Sequence, residues 1–172
     1  ENKYGALGGK LRDGIEPRPV PGVPKVVELS SGEYHVCART ARGAVYCWGT
    51  LIAIKRVPVQ RMRVPAAKAL ASGDSHTCVL TRRNQVYCFG QKGHGDQFVN
   101  SMKPKRIPGF RGVTRLVSND NHTCGLRRGR VICWGENGEG QLGDGTRAER
   151  AKPWVVPLPF KARDISVGAY HT

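Results

Sequence analysis

One short pattern recurs along the chain, and it limits the fold more than any other feature. A histidine is followed two residues later by a cysteine; a second cysteine comes nine or ten residues further on, then an aromatic residue and a glycine. Three copies begin at His35, His76 and His122, and a fourth starts at His171. The histidines are about 40 to 50 residues apart, a period typical of stacked repeats such as propeller blades.

Each copy predicts β-strands. The runs HVCART and AVYCWG in the first copy alternate between apolar and polar residues around a short turn. Proline-rich connectors such as RVPVQRMRVPAAK separate the copies, and proline is suited to edge strands and loops. With 22 glycines and 11 prolines, the composition favours turns and short strands, and no segment forms a convincing amphipathic helix. We therefore predict an all-β chain.

The six cysteines are predicted to pair across three hairpins. If the two cysteines of each copy face each other, the loops between them are Ala41-Arg42-Gly43, Arg82-Arg83-Asn84 and the two-residue turn Arg128-Gly129. Each loop then has glycine or asparagine where a tight hairpin needs a positive φ. Directly opposed residues on neighbouring strands lie within disulfide reach. The predicted disulfides are Cys37–Cys47, Cys78–Cys88 and Cys124–Cys133.

Three disulfides predict an oxidising location, namely extracellular, at a cell surface or periplasmic. An alternative interpretation leaves the thiols reduced in small core positions, in which case the location is nuclear or organellar. A zinc site made from His35, Cys37 and Cys47 would supply only three ligands in a copy and would not obviously form a closed tetrahedron. A catalytic cysteine has no rationale in three copies. We therefore predict neither a metal nor a cofactor.

The most complete copy is HTCGLRRGRVICWGENGEGQLGDGT, residues 122–146, and it resembles the regulator of chromosome condensation repeat. The resemblance covers essentially the whole chain and implies a β-propeller of four-stranded blades. The paired cysteines are similar to those of secreted or cell-surface variants of the repeat, such as the crinkly-type receptor domains of plants. The glycine-rich run GENGEGQLGDG lacks the G-x-x-x-x-G-K-[ST] spacing of a phosphate loop, so it is interpreted as a turn between blades.

The repeats predict a single array that forms a partial ring of about three to four blades. An open arc would leave sheet edges and blade faces exposed. We therefore expect a fragment, or a ring that another chain or chain segment completes. The predicted divisions are the end of a preceding blade at 1–25, blades at 26–66, 67–112 and 113–161, and the start of a further blade at 162–172.

The charge of the chain indicates the kind of partner. There are 28 Lys+Arg residues against 13 Asp+Glu, a formal net charge of +15, and no catalytic constellation stands out. Arginines are concentrated at the hairpin tips, which in successive blades would project from one face. We predict a non-catalytic protein-interaction scaffold whose basic face docks an acidic partner. The predicted partner-binding residues are Arg39, Arg42, Arg82, Arg83, Arg127, Arg128 and Arg130.

Other interpretations remain open at this stage. The charge and the family resemblance favour binding of nucleic acid, chromatin or another polyanion, and the resemblance also implies guanine-nucleotide exchange on a small GTPase for a few members. Inhibition of an extracellular enzyme is a further role of this repeat. The repeated histidines are predicted to make hydrogen bonds between strands, not to act as acids or bases. Among the aromatic residues, Trp154 is the freest candidate for a partner contact, and no segment is apolar and long enough to span a membrane.

Overall fold

A computed structural model describes residues 5–8, 18–52, 55–91 and 100–172. These residues contain twelve strands and no helix, which confirms the all-β fold. The strands form three antiparallel four-stranded sheets, called blades 1, 2 and 3, each in chain order. Blade 1 consists of β1 (Glu28–Ser31), β2 (His35–Arg39), β3 (Val45–Ile52) and β4 (Lys55–Met62); blade 2 of β5 (Ala67–Ser72), β6 (His76–Thr81), β7 (Val86–Gln91) and β8 (Asn100–Arg106); blade 3 of β9 (Arg115–Asn119), β10 (His122–Arg127), β11 (Arg130–Gly135) and β12 (Arg150–Val155).

The central hairpin of each blade has the turn that the sequence predicts. Gly43 and Asn84 have φ values of 87° and 55° at the third position of their three-residue loops. In the two-residue turn, both Arg128 (51°) and Gly129 (78°) have positive φ, as a type I′ hairpin requires. These turns set the register that places the two cysteines of each blade directly opposite each other. The structure contains all three predicted disulfides, with Cα–Cα distances of 4.1, 4.1 and 4.2 Å.

The hydrophobic core lies between the blades. One cluster joins side chains of blade 1 to Ala67, Leu70, Val79 and Phe89 of blade 2. The next cluster joins blades 2 and 3, where Phe110 packs edge-on against Trp134 with ring centroids 4.6 Å apart. Each blade is therefore held mainly by its neighbours, as expected of repeats that cannot bury their apolar faces alone.

The outer side of blade 3 is covered by the residues that follow β12. Val156 and Ile165 are buried there beside the Cys124–Cys133 disulfide. Phe160 lies two residues before Ala162, whose amide donates to Gly129 in the turn of blade 3. Phe110 has the same position in blade 2, two residues before Gly112, whose amide donates to Asn84. However, Phe160 is 66% exposed, whereas Phe110 is buried. The described residues after β12 therefore cover the disulfide side of blade 3 without burying Phe160.

Candidate protein-interaction face

The three hairpin tips lie in a row on one side of the blades, and we call this surface the tip face: residues 40–44, 81–85 and 127–130. The guanidinium of Arg82 donates a hydrogen bond to the carbonyl of Ala41 (2.8 Å), which joins the first two tips. The Gly112 amide donates to the carbonyl of Asn84 (2.9 Å), and Arg127 donates to the carbonyl of Gly109 (3.0 Å). The connector 109–112 thus links the second tip to the third.

The seven predicted partner-binding arginines divide into two groups. Arg39 forms an ion pair with Glu28 and has only 17% of its side chain exposed, while Arg82 and Arg127 donate to backbone carbonyls. These three residues therefore stabilise the tips themselves. The other four side chains are on the tip face, and none has a carboxylate partner among the described residues; they are Arg42, Arg83, Arg128 and Arg130. A role in partner binding stays a prediction for all seven.

Two further cations near the tip face, Arg111 and Lys161, are in the connectors and were not among the predicted partner-binding residues. Lys161 directly precedes Ala162, whose amide donates to the carbonyl of Gly129. Arg111 directly precedes Gly112, whose amide donates to the carbonyl of Asn84. Both side chains are exposed. No simple sequence signal marks these positions, because the corresponding residue of the first connector is Ala66, which precedes the Ala67 amide that donates to Gly43.

Carboxylates lie at the opposite ends of the strands, in the turns that precede the repeated histidines. The amide of Glu33 donates to the carbonyl of Asp74 (3.0 Å), and the amide of Asp74 donates to the carbonyl of Asp120 (2.9 Å). Burial, a hydrogen bond with Asp120 and the charges of Asp120 and Glu33 raise the pKa of Asp74 to about 6. Three carboxylates, those of Glu33, Asp74 and Asp120, therefore lie in turns at the end of the strands opposite the tip face.

The repeated histidines connect one blade to the next. His35 Nε2 lies 2.7 Å from Thr77 Oγ1, and His76 Nε2 lies 2.9 Å from Thr123 Oγ1. His122 Nε2 lies 3.3 Å from the hydroxyl of Thr172. Each threonine follows the histidine of the next copy, so these bonds lie between strands, as predicted, and the strands they join belong to neighbouring blades. All three rings are buried, which suits a structural role.

The aromatic residues of the strands behave as expected from their position. Trp48 and Trp134 are buried, and Tyr46 and Tyr87 are half-buried. Trp154 is exposed, and the guanidinium of Arg150 lies 4.7 Å from its ring centroid, within the range of a cation–π contact. Trp154 is on β12, the edge strand of blade 3, and is not part of a hairpin tip.

Acid should weaken the seam between blades 1 and 2. Burial lowers the pKa of His35 from 6.5 to about 4, so the folded state keeps this ring neutral while the unfolded chain takes up a proton. The corresponding stability is present above pH 6.5 and is lost as the pH falls towards 4, up to about 3 kcal/mol for this one residue. Urea unfolding at a series of pH values should show this loss.

The variant His35→Gln should flatten that pH dependence, because an amide has no proton to gain in this range. His171→Gln is the matched control, since the His171 side chain is exposed. An unchanged slope in His35→Gln would contradict the assignment of the acid sensitivity to this ring.

The three stacked sheets, their cross-strand disulfides and their repeated seams define a β-propeller repeat protein. Comparison with known families agrees with this class. The family model of the regulator of chromosome condensation (RCC1) repeat matches residues 128–172, and a second model with the same description matches residues 26–50, 67–96 and 113–141. The chain belongs to the regulator of chromosome condensation (RCC1) repeat family.

Known relatives and structures extend this comparison. The human E3 ubiquitin-protein ligase HERC2 is 28% identical over 181 residues, which is all of this chain but 3% of the ligase. The structure of human WBSCR16 matches with a TM-score of 0.72 and 23% identity, over 82% of this chain and 42% of that one. Prp20p from Saccharomyces cerevisiae matches with a TM-score of 0.79 and 17% identity, over 92% and 45%. The chain spans less than half of each of these proteins, and the likeness to the two solved structures shows the fold alone.

Proposed function

We propose that the chain is a non-catalytic interaction scaffold whose tip face docks an acidic protein partner. The observation that carries the proposal is the row of exposed guanidinium groups on adjacent tips, which have no carboxylate partner among the described residues, while Glu33, Asp74 and Asp120 lie at the opposite end of the strands. A positive surface of this kind speeds the encounter with an acidic partner and disfavours basic ones. Because the groups are exposed to solvent, their contribution should weaken as salt is added.

The tips are held in place before any partner arrives. In the first tip, the amide of Thr40 donates to the carbonyl of Ala44, and the amide of Ala44 donates to the Thr40 hydroxyl. The second tip repeats both bonds with Thr81 and Gln85. A surface whose backbone is already ordered loses less conformational entropy on binding, which supports its use for docking.

A second candidate is binding of a polyanion such as nucleic acid, and the net charge of +15 favours it. Prp20p, a structural relative, has been described with its binding to Gsp1p and histones. Guanine-nucleotide exchange on a small GTPase is the remaining family alternative for this chain, and it would also act through a propeller face. An extracellular or periplasmic location is part of the proposal, and it is supported by the three disulfides.

Completion of the ring by another chain or chain segment is also proposed. Phe160 is exposed beyond β12 of blade 3. Val27 and Leu29 are exposed just before and within β1, the first strand of blade 1. These apolar side chains occupy the two ends of the described stack of blades. Further blades at either end would bury them in the way that blade 3 buries Phe110.

The test is a charge reversal that keeps the net charge of the two variants equal. One variant replaces Arg42, Arg83, Arg128 and Arg130 by glutamate, and its control replaces four exposed cations elsewhere, namely Lys103, Lys105, Arg147 and Lys152. The probes are poly-L-glutamate and duplex DNA at low salt. We expect the tip variant to bind poly-L-glutamate about 100-fold more weakly, and the control to change by only a few-fold.

Equal losses in both variants would show that the charge acts diffusely and would contradict a specific tip face. If duplex DNA binds the unmodified protein more tightly than poly-L-glutamate, and only the tip variant loses it, the polyanion candidate replaces the acidic protein. Near-ultraviolet circular dichroism of each variant checks that the fold is retained.

A further inference from the structure

The fourth strands of the three blades, β4, β8 and β12, lie along one side of the array, which we call the outer rim. The first strands converge on each other, because β5 packs against both β1 and β9 and the Ser72 amide donates to the Ser30 hydroxyl (3.0 Å). The fourth strands form the opposite edge of each sheet. Since the blades of a propeller are arranged radially, this edge lies on the convex side. Further blades would stand beside blades 1 and 3 and would leave the outer rim open.

The outer rim carries positive charge in all three blades. The strands β4, β8 and β12 contain no aspartate or glutamate. Glu149, directly before β12, is exposed and partly offsets the positive charge. Arg150 is not counted as free, since its guanidinium lies 2.7 Å from the Asp144 carboxylate. The exposed cations on or beside the three strands have no carboxylate partner among the described residues; they are Arg61, Arg63, Lys103, Lys105, Arg106, Arg147 and Lys152.

These cations stay exposed in a blade that has neighbours on both sides. Blade 2 packs against blade 1 through one hydrophobic cluster and against blade 3 through another. Lys105 is directly opposite Cys88, which is fully buried, yet Lys105 itself is exposed. Lys103 and Arg106 of the same strand are exposed as well. The outer rim is therefore a surface of the assembled array and not an uncovered end of it.

Two of the lysines occupy the same place in successive blades. The pairing between the third and fourth strands shifts register opposite Phe89 in blade 2 and opposite Trp134 in blade 3. Lys103 lies in the shifted segment of β8, and Lys152 lies in the shifted segment of β12. A bulge of this kind leaves residues unpaired by the ladder and bends the strand. Both lysines are exposed, so successive blades present a cation at an equivalent position of the outer rim.

The outer rim does not favour the addition of a strand from another protein. A proline lies in the shifted segment of each outer strand, at Pro58, Pro104 and Pro153. Proline has no amide hydrogen, and prolines and charges on an edge strand hinder pairing with a further strand. Acidic residues would also hinder pairing, so protection of the edge does not explain why the charges are positive. An anionic ligand that needs no backbone hydrogen bonds fits both features.

We propose that the outer rim binds a linear acidic polysaccharide whose sugar units follow the edges of successive blades. The inference goes beyond the docking of an acidic protein and assigns a second partner to a different surface. A DNA duplex stays straight over about 50 nm, much longer than a domain, and a lipid surface is flat, so either would meet only part of a convex rim. Single-stranded nucleic acid favours aromatic side chains on which its bases stack, and β4 and β8 contain none. A flexible chain with a charge on most of its units can meet the cations of every blade.

The experiment measures the binding of fluorescently labelled oligosaccharides to the purified chain by anisotropy at low salt. One octasaccharide is derived from heparin and carries sulfates, a second is an oligogalacturonate and carries carboxylates, and maltooctaose is the neutral control. We expect the charged probes to bind, the neutral probe not to bind, and added salt to weaken the binding. A heparin dodecasaccharide should bind about tenfold more tightly than a tetrasaccharide, because the longer chain reaches the cations of a second blade.

The two charge-reversal variants of the docking test separate the outer rim from the tip face. The variant that served there as the control is the rim variant here, since it places glutamate at Lys103, Lys105, Arg147 and Lys152. We expect the rim variant to bind the charged octasaccharides about 30-fold more weakly. The tip variant has the same net charge, and its affinity for these probes should change by only a few-fold. Near-ultraviolet circular dichroism checks that both variants keep the fold.

The outcomes separate this inference from the proposed function. Equal losses in the two variants, or a larger loss in the tip variant, would overturn the rim site. Absence of binding by both charged octasaccharides would also overturn it and would leave the docking face standing, because that face is tested with poly-L-glutamate. A short DNA duplex or anionic phosphatidylglycerol vesicles could instead bind more tightly than both octasaccharides and lose binding only in the rim variant. That result would assign the outer rim to nucleic acid or lipid and overturn the polysaccharide assignment.

Discussion

Replacement of all six cysteines by alanine is expected to unfold the chain at neutral pH and room temperature. Each disulfide closes a loop of nine or ten residues, and the chain-entropy model gives about 2.5 kcal/mol for a loop of that length. Together the three amount to about 7 kcal/mol, which is comparable with the whole stability of a typical domain, about 5–15 kcal/mol. Urea unfolding followed by near-ultraviolet circular dichroism would measure the loss.

The paired variants provide the internal control. Removing only Cys124 and Cys133 should lower the free energy of unfolding by about a third of the loss seen when all six cysteines are replaced. Removal of either other pair should have the same effect. The disulfides themselves are checked by treating the denatured, unreduced protein with a thiol reagent, which should modify no cysteine. Modification of all six would contradict both the pairing and the oxidising location.

Gly135→Ala is expected to destabilise the protein by about 3–5 kcal/mol, the largest effect of any single substitution we predict. Gly135 has φ +111°, a conformation that residues with a Cβ rarely adopt. A Cβ there would overlap the carbonyl oxygen of Asn121 and lie 2.8 Å from the Cα of His122. Both neighbours are backbone atoms, so the strain cannot be relieved by rotating a side chain. Thermal or urea unfolding measures the change.

Gly138→Ala is the matched control, because a Cβ at Gly138 would meet nothing within 4 Å. This variant should unfold within a few tenths of a kcal/mol of the unmodified protein. Gly49 and Gly90 occupy the same place in blades 1 and 2, with φ values of 95° and 103°, and should respond as Gly135 does. Similar stability of Gly135→Ala and Gly138→Ala would show that the backbone can shift to accept the methyl group.

The fold was predictable because the repeats and the turn chemistry constrain the same register. The positions of Gly43, Asn84 and Gly129 determine where each hairpin turns, and that alone sets the three cysteine pairs opposite each other. The seam between blades was less accessible, because the partner of each histidine is in the next copy. The threonine after His76, repeated after His122, was the available signal.

The candidate site was predictable only in part. The tips were predicted as a site because their arginines are close together in the sequence. Which of these arginines bond to the protein itself depends on contacts between distant segments. Arg82 and Arg127 donate to carbonyls of residues that are distant in the chain, at Ala41 and Gly109.

Among the described residues, the tip arginines at one end of the strands and carboxylates such as Glu33 and Asp120 at the other end contribute a charge separation along the strand direction. A dipole experiences a torque in the field of a charged neighbour while the two are still separated by solvent. An approaching acidic protein would turn the chain so that the arginine end leads. Orientation would then precede contact, and a larger share of collisions would arrive with the correct face forward.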